Sequence, residues 1–147
     1  MARYRGRVVV RKVDWKGNQI KGSLKAWIKK NPGKKYYDSK IEYEAAVFFK
    51  KQKIKVKEKP ELILFDSIET QEFKKGEIKD VKQRDIKFSP DYYLPNIDVY
   101  IEIKGYADPL FKMRWKLFKL KGYKGFVIYT LNELKELIKQ LENDDMK

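Results

Sequence analysis

The feature that most constrains this chain is a short apolar segment that carries two opposite charges. The segment 98–104 reads DVYIEIK, and its β-branched and aromatic residues predict a strand. Successive side chains of a strand point to opposite faces, so Glu102 and Lys104 share one face. Ionised groups among Ile, Val and Tyr side chains are costly to bury unless a partner compensates them. The fold must therefore bring such a partner to this strand.

A second carboxylate precedes the strand. The segment 89–95 reads SPDYYLP, which places Asp91 on a turn. A divalent cation between Asp91 and Glu102 would compensate both charges, and the backbone carbonyl of Ile103 would be a further ligand. Oxygen ligands favour Mg²⁺, with Mn²⁺ as a substitute. Lys104 would hold a phosphate beside the ion, or would help to deprotonate water if its pKa were depressed.

The residue types that are missing narrow the chemistry. The 147 residues include no cysteine and no histidine. Their absence excludes disulfides, thiolate zinc sites, cysteine nucleophiles, histidine metal ligands and His-dependent triads. Catalysis would have to use carboxylates, lysine, tyrosine or serine, together with a hard metal ion.

The net charge of +14 predicts a polyanionic partner. The first forty residues contain thirteen Lys or Arg against Asp14 and Asp38, a balance of +11. They show no amphipathic helical stripe that would bind a membrane surface, so DNA is the expected partner. Alternatively, a chain rich in Lys, Glu and Ile reflects a thermophilic origin. The residues expected to contact DNA are Arg3, Arg5, Arg7, Arg11, Lys12, Arg84, Lys112 and Lys116.

The order of predicted elements favours one α/β domain. Ser39 and Glu42 have the spacing of a capping box, and the apolar stripe that follows predicts a helix. The other predicted elements are strands over 55–65, 77–88 and 125–129, a polar loop over 66–76, and helices from Asp108 to about Lys121 and from Thr130 onwards. We expect a mixed central sheet flanked by helices over residues 37–147. Residues 1–36 would add a basic N-terminal strand or hairpin arm to the same domain.

No stretch of the sequence is long and apolar enough to predict a transmembrane helix. The first residues also lack the pattern of a signal peptide. We therefore expect no association with a membrane and a cytoplasmic location.

Two short motifs are similar to a known family. Pro90-Asp91, followed by Glu102-Ile103-Lys104, resembles the motif of the PD-(D/E)xK nuclease superfamily. Residues 37–130 as a whole resemble small phage endonucleases, among them enzymes that resolve Holliday junctions. The resemblance implies a restriction-endonuclease-like α/β fold and a Mg²⁺-dependent DNA endonuclease of a phage or mobile element. It also implies branched DNA as substrate and a homodimer, because symmetric cutting of two strands favours two active sites.

The resemblance also implies roles for individual residues. Asp91 and Glu102 would bind the metal ion, and Lys104 would position or activate water. The helix before the core often lends a glutamate to the metal site in this superfamily. Glu42 matches that position, which makes it a third metal ligand or a residue that orients water.

Each assignment has an alternative. Glu42 needs no catalytic role if it only caps a helix, and Glu44 is a competing carboxylate. Arg84 would pair with Asp80 or Asp85 instead of facing phosphate. The lysines of the helix that begins at Asp108 would form a face exposed to solvent. The alternative functions are a nuclease subunit of a restriction, transposition or repair assembly, and a DNA-binding module with this fold that cuts nothing.

Overall fold

The structure is a computed structural model that describes residues 12–105 and 107–145. Arg3, Arg5, Arg7 and Arg11, which were predicted to contact DNA, lie outside these ranges. The helices are α1 (Leu24–Lys30), α2 (Lys40–Lys51), α3 (Pro109–Leu120) and α4 (Leu131–Asp145). The strands are β1 (Val13–Asp14), β2 (Tyr36–Tyr37), β3 (Lys57–Glu58), β4 (Leu62–Phe65), β5 (Ile68–Lys74), β6 (Glu77–Gln83), β7 (Ile86–Phe88), β8 (Tyr92–Leu94), β9 (Val99–Ile103) and β10 (Gly125–Ile128).

The helices begin where the sequence predicts. The Ser39 hydroxyl accepts a hydrogen bond from the backbone amide of Glu42 at the start of α2. Asp108 caps α3 in the same way, and Pro109 occupies the first turn, where its missing N–H costs nothing. A side-chain oxygen at each start satisfies a backbone N–H that has no partner within the helix.

The central sheet has four strands in the order β10-β9-β8-β3. Strand β10 is parallel to β9, whereas β8 is antiparallel to both β9 and β3. All five residues of β9 are buried, because helices cover both faces of this strand. The predicted mixed α/β fold is confirmed at this level.

The two faces of β9 belong to different clusters of buried side chains. One face packs against α2 and α4, through residues that include Ile101, Phe49 and Leu134. The other face packs against α3, β4 and β7, through Tyr100 and Phe118. Glu102 follows Ile101 and therefore lies on the α3 face, where β4 and β7 approach.

Two long strands predicted from the sequence are each divided in the structure. The predicted strand over 55–65 is interrupted at Lys59-Pro60. Lys59 has a φ of 46°, and Pro60 has no backbone N–H to donate a hydrogen bond to a neighbouring strand. The strand over 77–88 breaks at Arg84-Asp85. In each case the two parts pair in different sheets.

The prediction of a loop over 66–76 is wrong. Residues 68–83 form the hairpin β5–β6, in which Phe73 pairs with Ile78. Its turn is Lys75-Gly76, and both residues have positive φ angles of 51° and 78°, as a type I′ turn requires. Side chains on both faces are mainly polar and none is buried, so the sequence lacks the alternation that marks a half-buried strand.

The described part of the N-terminal arm is joined to the core. Val13 pairs with Tyr37, and Gly17 lies against the ring of Tyr43 on α2. Only β1, an isolated bridge from Val13 to Gln19, and α1 are regular structure within 12–35. None of the helices in the described ranges is long and apolar enough to cross a membrane.

The packing of α3 against β10 predicts a destabilising substitution. A Cβ atom on Gly125 would lie 2.7 Å from Phe118 Cε1 and 2.9 Å from Trp115 Cη2. These rings stack on each other with centroids 4.8 Å apart and cannot easily move aside. Gly125→Ala should therefore lower the free energy of unfolding by about 1–3 kcal/mol, measured by urea denaturation. Gly105→Ala is the control, because no atom lies within 4 Å of its added Cβ; equal midpoints for the two variants would contradict the prediction.

Candidate active site

Asp91 is held in place by two hydrogen bonds, one from strand β9 and one from the link after β3. The β8–β9 ladder ends at the pair Tyr92–Ile101, two residues before Ile103. The Asp91 carboxylate accepts a hydrogen bond from the Ile103 amide over 2.7 Å. Its backbone carbonyl accepts one from the Lys59 amide over 2.9 Å. The carboxylate therefore lies at the end of the ladder, beside the strand that carries Glu102.

Glu102 is a carboxyl group buried beside another carboxyl group. Its side chain is only 6% exposed, and its carboxyl lies within hydrogen-bonding reach of Asp91. Burial raises the pKa of Glu102, and the hydrogen bond and negative charge of Asp91 raise it further, against the opposing effect of Lys104. The pair carries a charge that only a proton or a cation can compensate.

Lys104 is the nearest cation to this pair on the α3 face. Its Nζ lies 4.0 Å from Glu102 Oε1 and 4.4 Å from the centroid of the Phe111 ring. The negative face of an aromatic ring attracts a cation at this distance. The lysine side chain is 29% exposed, so it can reach both the buried carboxylate and a ligand arriving from solvent.

Glu42 approaches Asp91 from the first turn of α2. Burial raises its pKa to about 7, and the charges of Asp91 and Asp38 add to this effect. The Tyr92 hydroxyl donates a hydrogen bond to the backbone carbonyl of Glu42 over 3.0 Å, which fixes this turn against β8. The competing carboxylate, Glu44, instead lines a groove with Lys135 of α4.

Two lysines and Asp38 form an ion-pair group beside Glu42. Lys12 Nζ and Lys59 Nζ lie 2.6 and 2.7 Å from the two carboxylate oxygens of Asp38. The two lysines hold the pKa of Asp38 below its usual range despite burial, and Asp38 raises the pKa of Lys59. Lys12, which was predicted to contact DNA, therefore has an acidic partner at the edge of the site.

The carboxylates lie between two cavities. The first, of about 240 Å³, contains Asp91 and Glu42 in its wall; its other lining residues are Lys35, Tyr36, Tyr37, Glu58, Lys59 and Tyr92. The second, of about 500 Å³, contains Glu102 and Lys104; it is also lined by Glu61, Lys87, Phe88, Ser89, Asp108, Leu110, Phe111 and Arg114. A ligand can thus approach the carboxylate pair from either side, and each approach carries lysine or arginine.

The other residues predicted to contact DNA lie away from the carboxylates. Arg84, Lys112 and Lys116 are exposed and line neither cavity. Arg114, one turn from Leu110 on α3, lines the second cavity instead. The spacing of lysines on α3 identifies a charged surface, but it does not reveal which part of that surface faces the site.

Several residues of the site carry no signal in the sequence. Lys59, Lys87 and Arg114 belong to an irregular link, a two-stranded sheet and a helix. Each is one of many basic residues in a chain with 35 Lys and Arg. The only clue to Lys59 is the proline that follows it, which ends strand pairing at that point.

A divalent cation suits the carboxylate pair. In the described part of the chain, no three acidic side chains form a ready-made metal cluster. Glu42 opens to one cavity and Glu102 to the other. Asp91 and Glu102 nevertheless supply adjacent oxygen ligands and an excess of negative charge, which fit Mg²⁺ or Mn²⁺. Coordination by the Ile103 carbonyl and by Glu42 remains a prediction.

No protein-family model, curated protein or solved structure was found to match this chain. The resemblance to PD-(D/E)xK nucleases thus depends on the motif residues themselves and remains a prediction.

The burial of Glu102 predicts that removing its charge stabilises the protein. In EDTA, Glu102→Gln should raise the free energy of unfolding by about 1–2 kcal/mol, because an amide of the same shape needs neither a buried charge nor the uptake of a proton on folding. A glutamate in the unfolded chain has a pKa of 4.5, whereas burial raises the pKa of Glu102 in the native protein. The stability of the wild type therefore falls as the pH rises above 4.5. The gain should be larger at pH 8 than at pH 5 in thermal denaturation.

The same measurement tests cation binding. Mg²⁺ should raise the unfolding midpoint of the wild type and leave that of Glu102→Gln nearly unchanged. Glu136→Gln, an exposed position on α4, is the matched control and should behave as the wild type does. A destabilised Glu102→Gln would contradict the electrostatic description of this site.

Proposed function

We propose that this protein is a Mg²⁺-dependent endonuclease that hydrolyses phosphodiester bonds of DNA and has a restriction-endonuclease-like fold. The observation that carries the proposal is the meeting of Asp91, Glu102 and Lys104 at the end of the β8–β9 ladder. Two neighbouring carboxyl groups, with Lys104 Nζ 4.0 Å from Glu102 Oε1, match the needs of this reaction. The central sheet between α2 and α4 on one side and α3 on the other is compatible with the proposed fold.

Phosphodiester hydrolysis requires a positioned water and compensation of charge on the phosphate oxygens. When bound, Mg²⁺ would orient the water, lower its pKa and neutralise developing charge. In this proposal Asp91 and Glu102 hold the cation. Lys104 places a positive charge at the phosphate from the side of the second cavity.

Glu42 assists from the first cavity. Its pKa of about 7 means that a substantial fraction of the group is ionised at neutral pH and can accept a proton. Lys59 lies in the same cavity and balances its charge. In the proposal, Glu42 orients the attacking water on the side of the sheet opposite to Lys104.

The cations around the two cavities support a polyanionic substrate. Lys104 and Arg114 line the second cavity, together with Lys87, which pairs with Glu61. Lys35 and Lys59 line the first cavity, where they pair with Glu58 and Asp38. A DNA strand that crosses the site would place consecutive phosphates beside both groups. Such contacts give affinity that does not depend on sequence and that falls steeply with salt.

The setting of the enzyme belongs to the same proposal. We propose branched DNA such as a Holliday junction as substrate, a homodimer as the active form, and the cytoplasm of a cell, including one infected by a phage. The alternative is a subunit that cuts only within a restriction, transposition or repair assembly. A DNA-binding module that cuts nothing is a further alternative.

The proposal predicts cleavage that requires the metal ion, Asp91 and Lys104. The purified protein should nick supercoiled plasmid or cut a splayed fork or four-way junction in Mg²⁺ and not in EDTA. Asp91→Asn, which keeps an oxygen for the Ile103 amide, and Lys104→Met should each lower the rate by at least roughly 100-fold. Lys139→Met on α4 is the control and should cut normally.

The outcomes separate the alternatives. Binding of DNA without cleavage in Mg²⁺ or Mn²⁺ would favour the non-cutting module or the subunit. Cleavage that survives in Asp91→Asn would refute the site. Equal rates on linear duplex and junction would refute the preference for branched DNA and retain the nuclease.

A pair of substitutions on α3 tests the second cavity as the phosphate-binding side. Arg114→Gln should raise KM for DNA about 3- to 10-fold with little change in kcat, since the arginine lines the cavity but lies beyond the carboxylates. Lys116→Gln removes one positive charge from the same helix outside the cavity and should change KM less than about twofold. An equal effect of both would show that only the overall charge of α3 matters.

A further inference from the structure

The part of the chain between 12 and 37 carries a group of aromatic rings and lysines that the cleavage site does not explain. We name it the aromatic–lysine surface. Its rings are Trp15, Trp27, Tyr36 and Tyr37, and its lysines are Lys12, Lys16, Lys34 and Lys35. All four rings are partly exposed, and α1, which contributes Trp27, has no buried residue.

Lysines stand over three of the four rings on this surface. Trp15 lies 6.0 Å from Trp27, which lies 6.0 Å from Tyr36. Lys16 and Lys34 stand 5.5 and 5.1 Å from the centre of the Trp15 ring. Lys12 Nζ lies 5.8 Å from the centre of the Tyr36 ring, and Lys35 Nζ lies 5.0 Å from the centre of the Tyr37 ring.

The charge of this segment is strongly positive. Residues 12–37 contain eight lysines and one acidic residue, Asp14, which gives a net charge of +7. The Asp14 carboxylate accepts hydrogen bonds from the amides of Lys16 and Asn18, so it stabilises the turn that presents Trp15. A packing role for the rings would explain their contacts with one another, but it would not explain why four lysines stand over them.

The surface continues into the proposed cleavage site. Lys35, Tyr36 and Tyr37 belong both to the aromatic–lysine surface and to the wall of the first cavity. Asp91 and Glu42 line the same cavity. A DNA strand lying along the rings would therefore reach the wall of the cavity that contains Asp91 and Glu42.

We infer that the aromatic–lysine surface binds an unpaired DNA strand and guides it to the carboxylate site, an inference that rests on the proposed function for its second part. Unpaired bases expose faces that stack on Trp and Tyr rings, each stack being worth about 1–3 kcal/mol. Lys16 and Lys34 exchange their contacts with the Trp15 ring for phosphates as the bases arrive, whereas Lys12 and Lys35 also pair with Asp38 and Glu58. Bases within a duplex are stacked on each other, so duplex DNA would bind this surface only through the attraction between its phosphates and the lysines. The substrate class is thus DNA with a single-stranded segment, such as a fork, flap or open branch point.

The test measures binding in EDTA, where it does not depend on cleavage. Fluorescence anisotropy of a labelled oligo(dT) of about 12 nucleotides is compared with that of a duplex of equal length, using the full chain. Two of the three tryptophans lie on this surface, so oligo(dT) should also quench the intrinsic fluorescence. Trp15→Leu should weaken oligo(dT) binding by roughly 5- to 100-fold and duplex binding less than about twofold.

Two further variants separate stacking from folding. Trp15→Tyr keeps a ring and should retain most of the affinity for oligo(dT), whereas a purely structural role would make it fail with Trp15→Leu. Phe73→Leu removes a ring that is 74% exposed on the β5–β6 hairpin, far from this surface in the chain, and should change neither affinity. Unfolding midpoints of all variants show whether each is folded.

Each outcome supports or overturns the inference. If folded Trp15→Leu lost equal affinity for oligo(dT) and for the duplex, the inference would be overturned. The surface would then bind DNA only through its positive charge. Tighter binding of oligo(U) than of oligo(dT) would overturn the assignment to DNA. Selective binding of oligo(dT) by a protein that cuts nothing in Mg²⁺ would support strand binding while refuting the nuclease, so the two proposals fail separately.

Discussion

The buried carboxyl group of Glu102 is the constraint on which the site depends. It lies within a strand whose other residues are all apolar or aromatic and are also buried. A charge in such surroundings needs a partner, and Asp91 increases that need because it is itself an anion. The Ile103 amide fixes Asp91, and Lys104 supplies part of the missing positive charge. The surrounding elements keep these groups together although their mutual repulsion weakens the fold.

The sheet also divides the site into two sides with different chemistry. The α2 side brings Glu42, which shares a cavity with Lys59 and the end of the aromatic–lysine surface. The α3 side brings Lys104 and Arg114. Such a division suits the proposed hydrolysis, in which the attacking water and the leaving oxygen lie on opposite sides of the phosphorus atom. It also allows substrate binding to extend over both faces from a single pair of carboxylates.

Much of the candidate site could be predicted because it depends on local patterns. Alternation along β9 places Glu102 and Lys104 on one face, and the capping pattern begins α2 at the residue that brings Glu42 toward Asp91. The division of the strands at Lys59 and Arg84 and the β5–β6 hairpin were missed. The hairpin buries no side chain, so its stability comes from cross-strand pairs and a turn rather than from an apolar pattern.

The sequence by itself determined the chemical types at the site: carboxylates, a lysine and a basic, aromatic-rich arm, with neither histidine nor cysteine. It also determined a mixed α/β fold, because helix caps and strand alternation are set by residues close together in the chain. Only the tertiary structure decided that Glu42 rather than Glu44 lies beside Asp91, and that Arg114 rather than Lys112 or Lys116 lines a cavity. These choices depend on how a helix is rotated about its axis against the sheet. Packing between distant elements sets that rotation, and no local pattern encodes it.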